Sequence, residues 1–382
     1  MPDFDDPDLA LLRDSARRLT DDVLRPSAAR WDRDCEPPLE NLPHLARAGL
    51  TGITVAEEYG GSGADVVYAL TAIEELAKGC TATAAFVLTN CVSAEVLQAF
   101  GSAEQKRKYL PPLAAGEWVG AWAMTEPEAG SAATELRTRA VADGGDYVLN
   151  GSKVFITRAA IAAFFVAFAR IGDEPGAKGV TAFVVDRGTP GLRIGAHDRH
   201  MGLRGGASAE VVFEDCRVPA DSMLVAPGQF GQLMRGLNQA RVLNPGMCLG
   251  IAGEALGLAT RYAQTRRQFG REIGRFQGIQ WMLADMACKV EAMRLLVYRA
   301  AGQIAAGHPD GPHNAAIAKA FAGENAFEVV DRAMQIHGGY GYSSELPLER
   351  MLRDVRAFKI GGGSTEIMRN RIAKGLFDRF PV

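Results

Sequence analysis

A run of glycines near the C-terminus, residues 361–363, is the stretch best suited to hold a reacting group. Apolar residues at helical spacing precede it over 348–360, and glycines stop a helix. Ser364 and Thr365, followed by Glu366, are typical of the cap and first turn of a second helix. Backbone N–H groups between the two helices would then be free to bind an anionic or polarised atom. A plain turn that needs positive φ is the alternative.

A second stretch, residues 266–270 with Phe276 and Gln277 after it, combines basic, aromatic and amide side chains. Arginine suits phosphate because its rigid guanidinium can pair with two oxygens at once. By residue type alone, this stretch is also typical of the solvated end of a helix, since charged residues are mostly exposed. Assigning it a ligand therefore needs a structural context.

Composition argues against several classes of function. The chain has 382 residues, 42 Lys and Arg against 45 Asp and Glu, and no block of like charge, so we expect no nucleic-acid partner. The six cysteines form no C-x-x-C pair and the histidines lack the spacing of a metal helix, so we expect no metal. The acidic start, Met1 to Asp6, does not resemble a signal peptide, and no run approaches the roughly 20 apolar residues of a membrane span. We therefore expect a cytoplasmic protein.

The first domain, residues 1–120, is predicted to be all-helical. Apolar residues spaced by three and four begin at Leu9 and reach Val23, and Pro26 is expected to close this first helix. Further helices are predicted over 42–48, 66–78, 82–100 and 104–115. The glycine-rich loop at 57–63 lacks the Lys-Ser/Thr ending of a phosphate loop, so we interpret it as a connection between helices.

The second domain, residues 121–231, is predicted to be β, and helices return over 232–382. Asn150-Gly151, between two short runs of β-branched and aromatic residues, predicts a hairpin. The apolar stripes of the last part predict long helices packed side by side. The fold class is therefore α+β, with an N-terminal helical domain, a middle β-barrel-like domain and a C-terminal four-helix bundle.

This order of domains resembles the acyl-CoA dehydrogenase family over essentially the whole chain, and four stretches carry the resemblance. In the C-terminal part they are Gln335-Ile336-His337-Gly338-Gly339 and Gly363-Ser364-Thr365-Glu366-Ile367. In the β domain they are Trp122-Ala123-Met124-Thr125-Glu126-Pro127-Glu128-Ala129-Gly130-Ser131 and Asn150-Gly151-Ser152-Lys153-Val154-Phe155-Ile156-Thr157. The resemblance implies FAD as cofactor and an acyl thioester, carried by CoA or by an acyl carrier protein, as substrate.

The resemblance also implies two groups of FAD-binding residues. One group lies around the flavin ring, where glycine and hydroxyl residues leave the ring open and supply donors: Trp122, Met124, Thr125, Gly130, Ser131, Phe155, Thr157, Ser364 and Glu366. Phe155 stands where the family usually has Trp, and Arg158 stands where Asn is common.

The other group would hold the pyrophosphate and adenine of FAD across a subunit boundary: Arg266, Gln268, Phe269, Gln277, Gln335 and Gly339. Because one FAD would then be shared between two chains, we expect a homotetramer, or at least a dimer. An electron-transfer flavoprotein is a possible redox partner.

The catalytic glutamate of the family is missing at both of the positions where relatives carry it. The residue before Gly363 is Gly362, and the residue before Arg241 in the alternative position is Ala240, so neither side chain can accept a proton. Gly362 keeps a backbone N–H that can bind the thioester oxygen. By resemblance, the substrate would also contact Ser131, Gly361, Arg241 at the CoA nucleotide, and the acyl-pocket helix at Phe86, Val87 and Asn90.

The missing carboxylate leaves three functions open, because a positioned base contributes about 100- to 10,000-fold in rate. The first is an acyl-CoA dehydrogenase whose base lies elsewhere. The second is a redox-neutral acyl-CoA lyase such as a 3-sulfinopropionyl-CoA desulfinase, although no arginine lies between Thr81 and Phe100 to hold a sulfinate. The third is a non-catalytic FAD-binding partner subunit, against which the retained flavin contacts argue. A flavin hydroxylase or oxidase on the same fold is a further alternative.

Overall fold

The computed structural model describes residues 6–380, so the prediction that Met1 to Asp5 is no signal peptide lies outside the described residues. Helices precede and follow a sheet along the chain, which confirms the predicted α+β class. The N-terminal helices are α1 Pro7–Leu19, α2 Arg25–Asp34, α3 Leu42–Arg47, α4 Val66–Gly79, α5 Thr81–Phe100 and α6 Ala103–Ala114.

Pro26 does not close the first helix, contrary to the sequence prediction. A π-helical turn over Thr20–Leu24 joins α1 directly to α2. Pro26 lies in the first turn of α2, where its missing N–H is tolerated and its fixed φ is already helical. The proline therefore starts a helix at this position.

The middle of the chain forms a curled seven-stranded sheet in the order β1-β4-β2-β3-β7-β6, with β5 also paired to β4. The strands are β1 Gly120–Ala123, β2 Arg139–Asp143, β3 Asp146–Ile156, β4 Phe164–Arg170, β5 Val180–Asp186, β6 Leu192–His197 and β7 Ala209–Pro219. Every residue of β4 is buried, because one of its faces packs with α6 and the other lies in the core of the sheet domain.

Asn150-Gly151 does not form the predicted hairpin, because β3 runs continuously through it. The hairpin lies earlier, at Gly144 and Gly145, whose φ angles of +61° and +94° suit a tight turn. A register shift between Leu149 and Gly151 marks a bulge against β7. Gly151 is needed there because a Cβ would lie 2.5 Å from the Thr138 hydroxyl oxygen.

Long helices dominate the C-terminal part: α7 Phe230–Thr265, α8 Gln277–Ala305, α9 Gly311–His337, α10 Leu348–Arg356 and α11 Thr365–Arg379. A short hairpin of β8 Arg267–Gln268 and β9 Arg271–Glu272 separates α7 from α8. Helices α7, α8 and α9 share one apolar core with α4, and α11 packs on α9 through Met368, Ala316 and Ala320. The helices thus enclose the end of α9 and the glycine run.

By length and composition alone, α5 and α7 are apolar enough to cross a membrane. The most apolar windows of these helices are 78% and 67% buried inside the structure. Burial of this extent is typical of core helices in a soluble protein.

Candidate active site

The loop that follows β1, residues 124–131, is anchored by the buried carboxylate of Glu126. This carboxylate accepts hydrogen bonds from the Thr138 hydroxyl (2.6 Å), the Thr138 N–H (3.0 Å), the Arg137 N–H (2.5 Å) and the Lys153 ammonium (2.6 Å). Burial alone would raise the pKa of Glu126, but Lys153 and these donors bring it below its ordinary value. The carboxylate is therefore fully paired.

Lys153, on β3, completes this anchor from the other side. Its side chain has no exposed surface, and burial lowers its pKa to about 8 although Glu126 opposes the shift. The Lys153 ammonium also lies 3.5 Å from the Met124 carbonyl oxygen, and the Val154 N–H donates to Thr125 O at 2.9 Å. These contacts fix Met124 and Thr125, two of the predicted flavin contacts, against β3.

Phe155 and Thr157, two further predicted flavin contacts, are both exposed at the end of β3. Phe155 is 65% exposed and adopts φ +58°, within a register shift between Lys153 and Ile156. The next ring is that of His200, at 6.1 Å between centroids. The bulge therefore leaves the ring of Phe155 accessible from solvent, as a contact to a planar ligand would require.

The other predicted ring contacts differ in their surroundings. Gly130 and Ser131 are exposed, and a Cβ on Gly130 would meet open space. The ring of Trp122 is packed against Phe168 at 4.7 Å, and its buried indole N–H has no partner in the part of the chain that the structure describes. An unpaired buried donor beside this open loop is compatible with a polar cofactor.

Arg158 joins the sheet domain to α5 and covers part of the predicted acyl pocket. Its fully buried guanidinium donates to Gly205 O at 3.0 Å and to Ala82 O, and lies 3.7 Å from the centre of the Phe86 ring. Burial lowers its pKa to about 9. The structure thus assigns a packing role to this unusual arginine.

Phe86, Val87 and Asn90 have no exposed surface, so they lie in the core and do not line an open cavity. Their contact with an acyl group stays a prediction. In the same part of α5, Ala82 (8%), Ala85 (8%) and Leu88 (9%) retain slight exposure and Thr89 is half-buried. The sequence does not distinguish the faces of this helix because α5 is apolar nearly all round.

The predicted pyrophosphate and adenine contacts surround a separate cleft of about 980 Å³. Arg266, Gln268, Phe269 and Gly339 line it, together with His337. Gln277 and Gln335 are exposed on α8 and α9 but do not belong to the lining.

Phe269 is 92% exposed with φ +51°, at the tip of the β8–β9 hairpin. None of the β-domain residues predicted to contact the flavin ring lines the cleft. In one chain the two predicted groups therefore occupy two separate regions.

The glycine run forms a turn between two helical segments, as predicted. A 3₁₀ turn over Ala357–Lys359 follows α10, and Ser364 caps α11 by accepting the Ile367 N–H at 3.3 Å. Gly362 and Gly363 have φ angles of +69° and +97°, so the turn requires glycine. Within residues 6–380, no hydrogen bond occupies the Gly362 N–H. The turn is therefore confirmed, and the binding of a ligand atom by its N–H stays a prediction.

The sheet domain is locked onto the segment before this turn. The Asp354 carboxylate accepts the Leu203 N–H at 2.6 Å, and burial raises its pKa to about 6. Arg353 pairs with Asp32 at 2.5 Å. Gly202 lies so close to the Arg353 backbone that a Cβ would come within 2.3 Å. Residues 201–204 thus set the position of the sheet relative to the turn.

Ala240 and Arg241 lie on the part of α7 that faces the turn. Ala240 is 6% exposed and Arg241 is 8% exposed. Arg241 donates to the Asn238 amide oxygen at 3.0 Å, while its Nε has no partner among the described residues. Burial first, and Arg371 second, lower the pKa of Arg241 to about 10. Glu366 is exposed on the first turn of α11, two residues after the cap.

Three residues beside the turn were not identified from the sequence: Asn244 on α7, Lys319 on α9 and Arg371 on α11. Lys319 is 2% exposed and donates to the Gly363 carbonyl. Asn244 Nδ2 lies 2.7 Å from where a Cβ on Gly362 would be. The only sequence signal was Lys319, a single charge among the alanines of residues 315–322.

Family models match nearly the whole chain. The models for the acyl-CoA dehydrogenase N-terminal, middle and C-terminal domains match residues 6–117, 121–216 and 230–377. An acryloyl-CoA reductase (NADH) of Anaerotignum propionicum is 41% identical over 97% of this chain and 94% of its own length.

Two solved structures show the same similarity in three dimensions. Butyryl-CoA dehydrogenase from Megasphaera elsdenii has a TM-score of 0.94 and 36% identity, covering 98% of this chain and 100% of that chain. The second structure is described as the electron transferring flavoprotein of Acidaminococcus fermentans. One of its chains has a TM-score of 0.94 and 39% identity, covering 98% of this chain and 99% of that chain. The chain belongs to the acyl-CoA dehydrogenase family.

Proposed function

We propose that the protein is an FAD-dependent oxidoreductase that dehydrogenates the acyl group of an acyl thioester between its α and β carbons. The observation that carries this proposal is the outward-held pair Phe155 and Thr157 beside the anchored 124–131 loop. A flavin ring needs an apolar surface to pack on, hydrogen-bond donors at its edge and one face left open. The exposed aromatic ring, the hydroxyl and the open glycine segment fit these three needs. The chemistry that bound FAD supplies is acceptance of the hydride from the β carbon.

The Gly362 N–H is proposed to bind the thioester oxygen. It is free, it lies at the start of the turn that caps α11, and it needs no side chain for this role. A donor at that position polarises the carbonyl and so acidifies the α proton. Gly362 and Ala240 cannot themselves accept that proton, so the proton acceptor is neither of these residues.

FAD is proposed to span two chains. The 980 Å³ cleft with Arg266 and Phe269 is separate from the ring-contacting residues of the same chain, so each region would serve a different bound FAD. The 92% exposed Phe269 ring supports this arrangement, since an apolar ring in water is expected to be covered in the assembly. We therefore propose a homotetramer, or at least a dimer.

The redox partner and location are further proposals. An electron-transfer flavoprotein is the proposed electron acceptor, supported by the similarity to a chain from the Acidaminococcus fermentans structure. The names of the relatives support a place in short-chain acyl metabolism, and we propose a cytoplasmic location. The same names do not favour a redox-neutral lyase or a non-catalytic subunit as the alternative.

An anaerobic titration of the purified holoenzyme with acyl-CoAs tests the proposed activity. Butyryl-CoA and succinyl-CoA would be added while flavin absorbance and thioester products are followed together. Bleaching of the flavin with formation of an enoyl thioester is the expected result. Product without bleaching would contradict dehydrogenation, and binding without either change would indicate a partner-subunit role.

A further inference from the structure

Three cations on three helices lie next to one another beside the turn at Gly362. Lys319 on α9 donates to the Gly363 carbonyl and has Arg241 on α7 as a charged neighbour, and Arg371 on α11 is in turn a charged neighbour of Arg241. The exposed carboxylate of Glu366 also neighbours Lys319, but within residues 6–380 none of the three cations forms an ion pair with a carboxylate. Arg241 donates to one amide oxygen, and Arg371 makes no hydrogen bond among the described residues. Burying unpaired charge is costly, so a ligand anion is expected to offset it.

A second buried arginine, Arg170, does not share this deficit, since it donates to four backbone carbonyl groups. Arg158 has a buried Nε without a partner among the described residues, but its guanidinium has two carbonyl partners and the face of Phe86. Arg241 also has a buried Nε without a partner among those residues, and its guanidinium donates only to the Asn238 amide oxygen although the residue is 8% exposed. Of these three buried arginines, Arg241 is therefore the one with the most unused hydrogen-bonding capacity.

Asn244 directs a further donor into the same space. It follows Arg241 by three residues on α7, so the two side chains share one face of the helix. Its Nδ2 is 2.7 Å from the position that a Cβ on Gly362 would take, and its amide makes no hydrogen bond among the described residues. A side chain at residue 362 would compete with this amide. With glycine there, the donor faces the space that such a side chain would fill.

We infer that Asn244, Arg241, Lys319 and Arg371, hereafter the cationic turn site, bind a carboxylate carried by the acyl group of the substrate. The inference rests on the proposed function, which places the thioester oxygen at the Gly362 N–H. Because Lys319 donates to the Gly363 carbonyl and Asn244 faces residue 362, the site lies beside that N–H, and the carboxylate is expected within one or two carbons of the thioester carbonyl. Methylmalonyl and succinyl thioesters have this form, and butyryl thioesters do not.

The phosphates of CoA are the competing anion for these cations. The resemblance to the family suggested that Arg241 approaches the CoA nucleotide. Arg241 is nevertheless buried and is a charged neighbour of Lys319, which donates to the Gly363 carbonyl, whereas the nucleotide lies a full pantetheine arm away from the thioester carbonyl. The geometry therefore favours the acyl end, and free CoA serves as the probe that separates the two sources.

Isothermal titration calorimetry of the FAD-loaded enzyme would measure binding directly, without turnover. The probes are succinyl-CoA, methylmalonyl-CoA, butyryl-CoA and free CoA. We expect the carboxylate-bearing thioesters to bind about ten- to a hundredfold more tightly than butyryl-CoA, the range for hydrogen bonds to a charged group. Equal affinities would overturn the inference while leaving the proposed function intact. No binding of any thioester would overturn both.

Arg371→Leu tests the cationic turn site with little risk to folding, because Arg371 is partly exposed. Its succinyl-CoA affinity should fall about tenfold more than its butyryl-CoA affinity. Arg369→Leu is the matched control, since Arg369 lies on the same helix but pairs with Glu324 at 2.7 Å. An equal loss for all probes, free CoA included, would mean that the cluster holds phosphate, and would overturn the inference.

Gly362→Glu and Gly362→Gln form a second matched pair. Both side chains must adopt the same positive φ and displace Asn244, but only glutamate brings a negative charge. Gly362→Glu should abolish the preference for succinyl-CoA over butyryl-CoA, because its own carboxylate occupies the site. Gly362→Gln should retain a larger preference than Gly362→Glu. Identical preferences in the two variants would contradict an electrostatic site.

Discussion

Two buried lysines, Lys153 and Lys319, occupy opposite kinds of environment in this protein. Lys153 is paired at 2.6 Å with Glu126, whose carboxylate also accepts from Arg137 and Thr138. Lys319 donates to the Gly363 carbonyl and has Arg241 and the exposed Glu366 as neighbouring charges, but within residues 6–380 it forms no ion pair. Burial lowers the pKa of both lysines to about 8, so burial alone does not distinguish them. The difference lies in whether the protein supplies the opposite charge.

This difference separates a structural anchor from a ligand site. A buried pair with all donors and acceptors used holds its segments in one geometry, as the 124–131 loop is held against β3. A buried cation without a carboxylate remains a cost that a bound anion can offset. The charges that anchor the 124–131 loop are thus neutralised within the chain, whereas the cations beside the glycine turn are left for a bound anion to offset.

Gly362→Glu would place a carboxylate at the turn, and of the variants proposed here it should change the measured property most. We expect the rate of flavin reduction by butyryl-CoA to rise about 100- to 10,000-fold, the usual contribution of a general base. Anaerobic stopped-flow measurements would record it, with Gly362→Gln as the control that carries the same strain. An unchanged rate would show that the turn differs from a catalytic one by more than this side chain.

Lys153→Met would leave the buried Glu126 carboxylate without its cation, although its bonds from Arg137 and Thr138 remain, so the free energy of unfolding should fall by about 3–5 kcal/mol. Denaturant titration would measure this loss, and Lys153→Met combined with Glu126→Gln should recover part of it. Lys319→Met should lower the free energy of unfolding by less than Lys153→Met does, because it leaves only the Gly363 carbonyl without its partner. An equal fall in the free energy of unfolding for Lys153→Met and Lys319→Met would contradict the distinction between a lysine paired with a carboxylate and one without such a partner.

Arg266→Ala and Gln335→Ala test whether completing the flavin side also requires the separate cleft. Either change should weaken FAD retention about tenfold or more, since each removes a polar contact to the cofactor. FAD content after dialysis is the measurement. Arg275→Ala is a suitable control because Arg275 is exposed and pairs with Glu272 at 2.7 Å. Unchanged occupancy in both variants would refute the assignment of the cleft to FAD.

A smaller effect is expected from pH. Raising the pH through about 8 neutralises Lys319, so the affinity for succinyl-CoA should fall severalfold between about pH 7 and about pH 9. Two neighbouring groups titrate above this window, because burial lowers the pKa of Arg241 only to about 10 and raises that of Cys248 to about 12. Burial also lowers the pKa of Arg371, and the pKa of Glu366 lies below its ordinary value. Butyryl-CoA affinity should not change, which calorimetry at both pH values would check.

Features decided by neighbouring residues were predictable from the sequence. The glycine turn is an example, because a helix stop, a serine cap and a helix start follow one another within residues 356–367. Asn150-Gly151 was misinterpreted because its turn signal is as strong as that of Gly144-Gly145. The choice between them depends on pairing with β7 and on the space beside Thr138. Such information lies in distant parts of the chain.

In the candidate site too, the residues that the sequence identified are those in contiguous motifs, and the residues that it missed come from distant segments. Motifs located the loop of residues 124–131, Phe155 and the glycine turn, because each is a contiguous string. Asn244, Lys319 and Arg371 come from three helices and become neighbours only through packing. The acyl-pocket residues on α5 stay a prediction, because the sequence of a nearly all-apolar helix does not indicate which side faces a cavity.

The left-handed backbone of Phe155 implies a trade of stability for function. A side chain at φ +58° costs roughly 1–2 kcal/mol, and a glycine there would avoid most of that strain. Glycine would, however, present no ring. Selection for a more stable protein would therefore favour losing Phe155, and selection for a held flavin would favour keeping it. Efforts to make this enzyme more heat-resistant should leave this residue unchanged and accept its strain.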